Sequence, residues 1–165
     1  TNRLLAKMAV RASSGHKVFA DLIDGLAAAD AAVRYWAATG VGNVAAGKSR
    51  AVSGTLKIKA REAAKRGLDD KSASVRIALA RALCHLEHPE KALPVLINEL
   101  KTGNQWERLQ AAIVLDEIDE QARPVLEQMR VGLEFQEGFN ARGKYRVRVM
   151  NRALNQLEGT NRKVQ

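Results

Sequence analysis

The sequence predicts an all-α chain, an α-solenoid of about four helical hairpins with eight or nine helices, and three observations lead there. Apolar residues recur at intervals of three and four along most of the 165 residues, the period of one helix face. Hydrophobic residues make up 46% but aromatics only 4%, so the core must be built from Ala, Leu, Val and Ile, and alanine is the strongest helix former. Finally, a short block with a capping residue and an arginine recurs at the start of several helices.

In order along the chain, Leu4, Leu5, Met8 and Ala12 mark a helix over 3–13 that Gly15 closes. Val18, Leu22, Ile23, Leu26 and Ala27 mark a second over 18–28. Asp30 can cap a third, which runs through Val33, Trp36, Ala37, Gly40, Val41 and Val44. Residues 47–55 are small and polar and read as a loop. A helix over 56–68 turns Leu56, Ala60, Ala63, Ala64 and Leu68 inward. Its other face carries Lys57, Lys59, Arg61, Lys65 and Arg66.

Ser72 can cap the next helix, through Val75, Leu79, Ala82, Leu83 and Leu86, which should end before Pro89 because a proline disfavours α backbone at the preceding residue. Residues 92–101 form a further arm. Asn104 and Glu107 have capping-box spacing ahead of Leu109, Ala112, Ile113 and Ile118. A helix over 122–131 is expected, with Pro124 in its first turn. A loop at 132–143 precedes a last helix at about 144–157. The tail from Gly159 to Gln165 is polar, and is loose or pinned to a neighbour.

These elements group into units of roughly 1–46, 56–88, 91–119 and 122–158, in a single domain over 1–165. A two-helix unit cannot bury its own apolar face and must stack on another. Three segments agree: Asp30-Ala31-Ala32-Val33-Arg34, Ser72-Ala73-Ser74-Val75-Arg76 and Asn104-Gln105-Trp106-Glu107-Arg108. Each places an arginine four residues after a cap. The fourth unit holds Arg146 and Arg148, and Arg148 is taken as the counterpart. A cation gains nothing from the dipole at a helix N-terminus, so something else must hold these arginines. The expected partner is a neighbouring helix or repeat; a ligand shared by Arg34, Arg76, Arg108 and Arg148 is the alternative.

Most of the chain resembles HEAT-like repeats. Val33-Arg34-Tyr35-Trp36-Ala37-Ala38-Thr39-Gly40, Arg123-Pro124-Val125-Leu126 and the stretch from Tyr145 to Thr160 are similar to the C-terminal HEAT-like region of bacterial arylsulfatase-type proteins. The resemblance implies an appendage that braces a catalytic domain, pairs subunits or presents a surface. The catalytic motif of that family, Cys/Ser-x-Pro/Ala-x-Arg, has no match: Cys84 is followed by His85-Leu86-Glu87-His88. Any catalysis would belong to a sulfatase-like domain outside this chain, which begins without Met and reads as a processed chain or as a piece of something larger.

Other chemical candidates fail on context. One cysteine excludes an internal disulfide, and Cys84 with His88 gives only two metal ligands. Asp116, Glu117, Asp119 and Glu120 lack the Asp/Asn-Gly pattern of a calcium loop. Gly42-Asn43-Val44-Ala45-Ala46-Gly47-Lys48-Ser49 satisfies the bare phosphate-loop string, but no strand precedes it and Gly42 sits inside an expected helix. No cofactor and no metal are therefore expected. No stretch reaches the roughly 18 apolar residues of a membrane span, and no signal-peptide core is present, so no membrane partner is expected and the compartment stays open.

The formal charge of +9 is uneven: residues 47–85 carry a net +7, residues 86–139 a net −6 and residues 140–165 a net +6. Lys48, Arg50, Lys57, Arg61 and Lys65 are the candidate anion-binding residues. The expected function is a non-catalytic protein–protein or domain–domain interaction scaffold, its partner an adjacent catalytic domain or another subunit. The alternative is a basic solenoid that binds nucleic acid through phosphate contacts, without an aromatic platform for single strands.

Overall fold

The computed structural model describes residues 2–47, 52–134 and 143–163. They form nine α-helices and no strand: α1 (Asn2–Ala12), α2 (Phe19–Gly25), α3 (Ala31–Ala46), α4 (Gly54–Arg66), α5 (Ala73–His85), α6 (Pro89–Thr102), α7 (Gln105–Glu117), α8 (Leu126–Met129) and α9 (Gly143–Glu158). None of the described helices is long and apolar enough to cross a membrane. The chain forms two compact units, residues 1–92 and 93–165.

In the first unit α3 is central. It packs against α1, α2 and α5, while α4 packs on α5 and α2. A helix enclosed on several sides loses its polar stripe, which is why Val33, Ala37, Ala38, Gly40, Val41, Gly42 and Val44 are all buried. Close approach needs small residues here. A Cβ on Gly40 would lie 2.9 Å from the Cα of Ala12 in α1, where backbone cannot give way. Asp30 starts α3 by accepting the Ala32 amide at 2.8 Å, and Ser53 starts α4 by accepting that of Leu56 at 3.3 Å. Met8, Phe19, Leu22, Val33, Val41 and Leu86 form the centre of the core, each fully buried side chain contributing roughly 1.5–3 kcal/mol.

The first unit closes α5 with a left-handed turn. The His88 amide reaches back to Leu83 O at 2.9 Å and that of Glu87 to Cys84 O at 3.1 Å, with Glu87 at φ 67°. This pattern of two reversed bonds satisfies the last carbonyls of a helix, and glycine is the residue that normally occupies the left-handed position.

In the second unit α7 packs on α9, and residues 119–133 lie against α9 as well. Asn104 and Glu107 form a complete capping box: the Asn104 side chain accepts from the Trp106 and Glu107 amides, and Glu107 Oε2 accepts from the Asn104 amide at 2.7 Å. The helix expected over 122–131 is broken. Residues Asp119–Val125 and Arg130–Leu133 are 3-10 turns flanking the four-residue α8. Pro124 has no amide hydrogen to donate to the carbonyl four residues back, and the chain around it is wound as a 3-10 turn before α-helix resumes at Leu126.

Gly132 fits beneath α9, where a Cβ would meet Met150 Cγ at 2.7 Å. Helix α9 buries Val147, Met150, Ala153, Leu154 and Leu157. It ends as α5 does, with Thr160 bonded to Asn155 O and Gly159 to Gln156 O, but here a glycine at φ 66° takes the left-handed position. The tail then returns along its own helix. Asn151 and Asn155 both donate to Arg162 O at 2.9 Å, and the Arg162 amide donates to Asn155 Oδ1 at 3.0 Å. Residues 160–163 are thus held by their own helix, and not by a neighbour as one of the two expectations for the tail had it.

Candidate functional site

The recurring arginines all reach backward. Arg34 donates to Ala28 O and Ala29 O at 2.8 Å, Arg76 to Asp70 O at 2.6 Å, and Arg108 to Gly103 O at 2.7 Å and Lys101 O at 2.6 Å. Only Arg108 covers carbonyls at the end of the preceding helix, Lys101 O and Gly103 O beside the end of α6, where a cation is favoured. The carbonyls held by Arg34 and Arg76 lie in the turn three or four residues past α2 and α4, so these two arginines fasten the connecting turn to the start of the next helix.

In α9 the residue that does this is Arg146, not Arg148. Arg146 is buried, and it donates to Gly132 O at 3.2 Å and to Glu134 O. Arg148 is exposed. The two are separated by two positions, about 200° around a helix, so only one can face the preceding turn. Burial, and then the charge of Arg108, lower the proton affinity of Arg146, although a guanidinium stays charged at any ordinary pH.

Asp70 joins two of these arginines in the first unit. Its carboxylate takes Arg34 side-on, Nε to Oδ2 at 2.6 Å and Nη2 to Oδ1 at 3.0 Å, and also accepts the Ser72 amide at 2.8 Å. Its own carbonyl holds Arg76. The hydrogen bond from Arg34 is the main reason the Asp70 carboxyl is held below its ordinary range. Ser72 stands at the cap position of α5, yet its side chain makes no capping bond.

The phosphate-loop string is helical through Ala46, and the Gly47 amide is spent on Asn43 O at 3.1 Å. Gly42 faces α5, 3.6 Å from Ala82 Cα by a Cβ that it lacks. Lys48, Ser49 and Arg50 lie outside the described residues. Along α4, Lys57, Arg61 and Lys65 are half-buried. Arg61 donates to Leu86 O at 3.1 Å and Lys65 pairs with Glu62 at 3.2 Å. Two of these three cations are therefore already engaged.

The acidic residues at the end of α7 and just after it are likewise paired. Arg152 grips Asp116 with two hydrogen bonds, Gln156 donates to Asp119 at 2.9 Å, and Arg123 holds Glu120 at 2.6 and 2.7 Å. Among the described residues no three His, Cys, Asp or Glu side chains are placed to hold a metal ion. Cys84 is buried, and His88 Nδ1 lies 2.9 Å from Glu90 Oε1.

Two surfaces stand out among the described residues, one in each unit. Between α2 and α4 runs a groove of about 620 Å³ lined by Ile23, Leu26, Ala27, Ile58 and Ala63 and by the charged Asp24, Lys59, Glu62 and Arg66. Ile58 is 57% exposed on that face. Beside α9 and the returning tail is an open depression of about 570 Å³ lined by Arg148, Asn151, Arg152, Asn155, Arg162 and Lys163, among others. Sequence reasoning did not single out Arg152 or this surface, because the folded-back tail that completes it is a matter of tertiary structure.

No protein-family model and no curated protein matches this chain.

Proposed function

We propose that this chain is a non-catalytic protein-interaction scaffold built from HEAT-like hairpins, with the groove between α2 and α4 as a docking surface. The observation that supports this most is Ile58: a large aliphatic side chain more than half exposed in a groove lined by other apolar side chains and by charges of both signs. Such a face gains by being covered, and protein interfaces combine apolar with polar and charged side chains. The repeated backward-reaching arginine supports the hairpins as copies of one unit type.

The test places a photo-reactive amino acid at Ile58 or, as a control, at exposed Lys71, in cells of the source. The scaffold reading expects a defined protein adduct from position 58, absent from position 71 and lost with Ile58→Asp in the groove of a chain labelled at Ala63. Tight, steeply salt-dependent binding to duplex DNA, with no adduct at 58, favours the nucleic-acid alternative that the +9 charge suggests.

The resemblance to the C-terminal region of arylsulfatase-type proteins adds a narrower proposal, that the partner is a catalytic domain. Reading the neighbouring coding sequence tests it. An in-frame sulfatase-type domain upstream supports it, and a complete short gene overturns it.

A further inference from the structure

The depression beside α9 carries an inference about the partner's chemistry, which rests on the scaffold reading. On this face Arg152 and Arg162 hold carboxylates of the chain itself, Asp116 and Glu158. Arg148 and Lys163, both exposed, have no carboxylate partner among the described residues, and no carboxylate lines the depression there. Arg152 is 72% exposed even while paired. A guanidinium has five N–H donors, and the two bonds to Asp116 leave three for another acceptor.

We propose that the outer face of α9 and the returning tail bind a short acidic peptide segment of a protein partner in extended conformation. Arg148 and Arg152 are one helical turn apart, about 6 Å along the axis. Alternate side chains on one side of an extended strand are about 6.6 Å apart. Two acidic side chains at i and i+2 therefore meet the two arginines in step, each as a planar carboxylate against a fork of matching shape. Lys163 is brought to the same depression because Asn151 and Asn155 fasten the tail at Arg162.

Duplex DNA fits less well. A protein that grips a duplex neutralises about 6–10 phosphates, whereas this face offers two unpaired cations and the spare donors of Arg152.

The experiment titrates a fluorescent peptide of alternating Glu and Ser into the full chain at low and physiological ionic strength, with duplex DNA as competitor. Arg148→Glu with Lys163→Glu should weaken peptide binding by about tenfold or more. Lys17→Glu with Lys71→Glu, an equal charge change at exposed sites elsewhere, should leave it within about twofold. Both pairs are exposed, and circular dichroism checks that each variant folds. Equal weakening by the two pairs reduces the effect to diffuse charge and overturns the proposal, as does absence of binding at low ionic strength or displacement of the peptide by DNA at matched charge. The adduct at position 58 is read in the other unit and does not depend on these charges, so either result can fail alone.

Discussion

Arg34 in the first unit and Arg146 in the second both reach back from the first turns of a helix to carbonyls behind them, yet they are neutralised differently. Arg34 has a carboxylate, Asp70, as well as two carbonyls. Arg146 is more deeply buried, donates to two backbone carbonyls, and feels the charge of a second cation, Arg108, more than that of Glu134. The same local device can be completed by an ion pair or by helix-end dipoles. Only the first of these makes stability depend on the protonation of a partner.

The largest expected effects come from removing either partner set. Asp70→Ala leaves Arg34 and the Ser72 amide short of acceptors and should cost about 3 kcal/mol, read by chemical denaturation and by faster amide exchange in α3 and α5. Arg146→Met uncovers two carbonyls and should cost about 2–3 kcal/mol, with faster exchange in α7 and α9. Arg148→Met, at an exposed position, should change stability by less than about 0.5 kcal/mol.

Acid separates the two devices. The folded Asp70 carboxyl titrates below its unfolded value, so its contribution is complete above about pH 4 and is lost as pH falls through the folded value. Exchange protection of α3 should therefore fall in that acid range in the native chain and lose this dependence in Asp70→Asn. A protection profile for α3 that is the same in both would refute the pairing as the source.

Helix starts give the next comparison. Asn104→Ala breaks a complete capping box and should cost about 1 kcal/mol. Ser72→Ala removes a hydroxyl that makes no capping bond and should cost only a few tenths of a kcal/mol. Thermal melts of the two variants side by side check the difference.

The smallest effect has the opposite sign. Helices α5 and α9 end in the same reversed turn, with Glu87 left-handed in one and Gly159 in the other. Glu87→Gly should stabilise by about 0.5–1 kcal/mol, and Gly159→Ala should destabilise by a similar amount.

What the sequence made legible was local. Asp30 as a cap, the Asn104–Glu107 box and the end of α5 before Pro89 depend on residues within one turn of each other, and the structure has each in its place. Partners distant in the chain were not legible. Asp70 is 36 residues from Arg34, and nothing in the residues around it marks it as the anion that holds two arginines. Arg146 could not be separated from Arg148 because both follow a long loop, and the choice depends on where Gly132 and Glu134 present their carbonyls. The break around Pro124 was hidden by a real ambiguity, since a proline is tolerated in a first helical turn and equally stops a helix from forming. The basic stretch at 48–66 drew attention by composition, whereas Arg148 and Lys163, which have no carboxylate partner among the described residues, lie on α9 and its tail, where the sequence shows only a scattered charge.

Cys84 has a use that does not depend on any function. It is the one thiol of the chain, and it is 1% exposed within α5. A thiol reagent in solution can modify it only when the first unit opens, so the labelling rate measures how often that happens. With reagent in excess and reclosing slow, the rate gives the opening step itself; with reclosing fast, it gives the equilibrium between closed and open forms. The native sequence thus carries its own clock for the first unit, with no engineered probe.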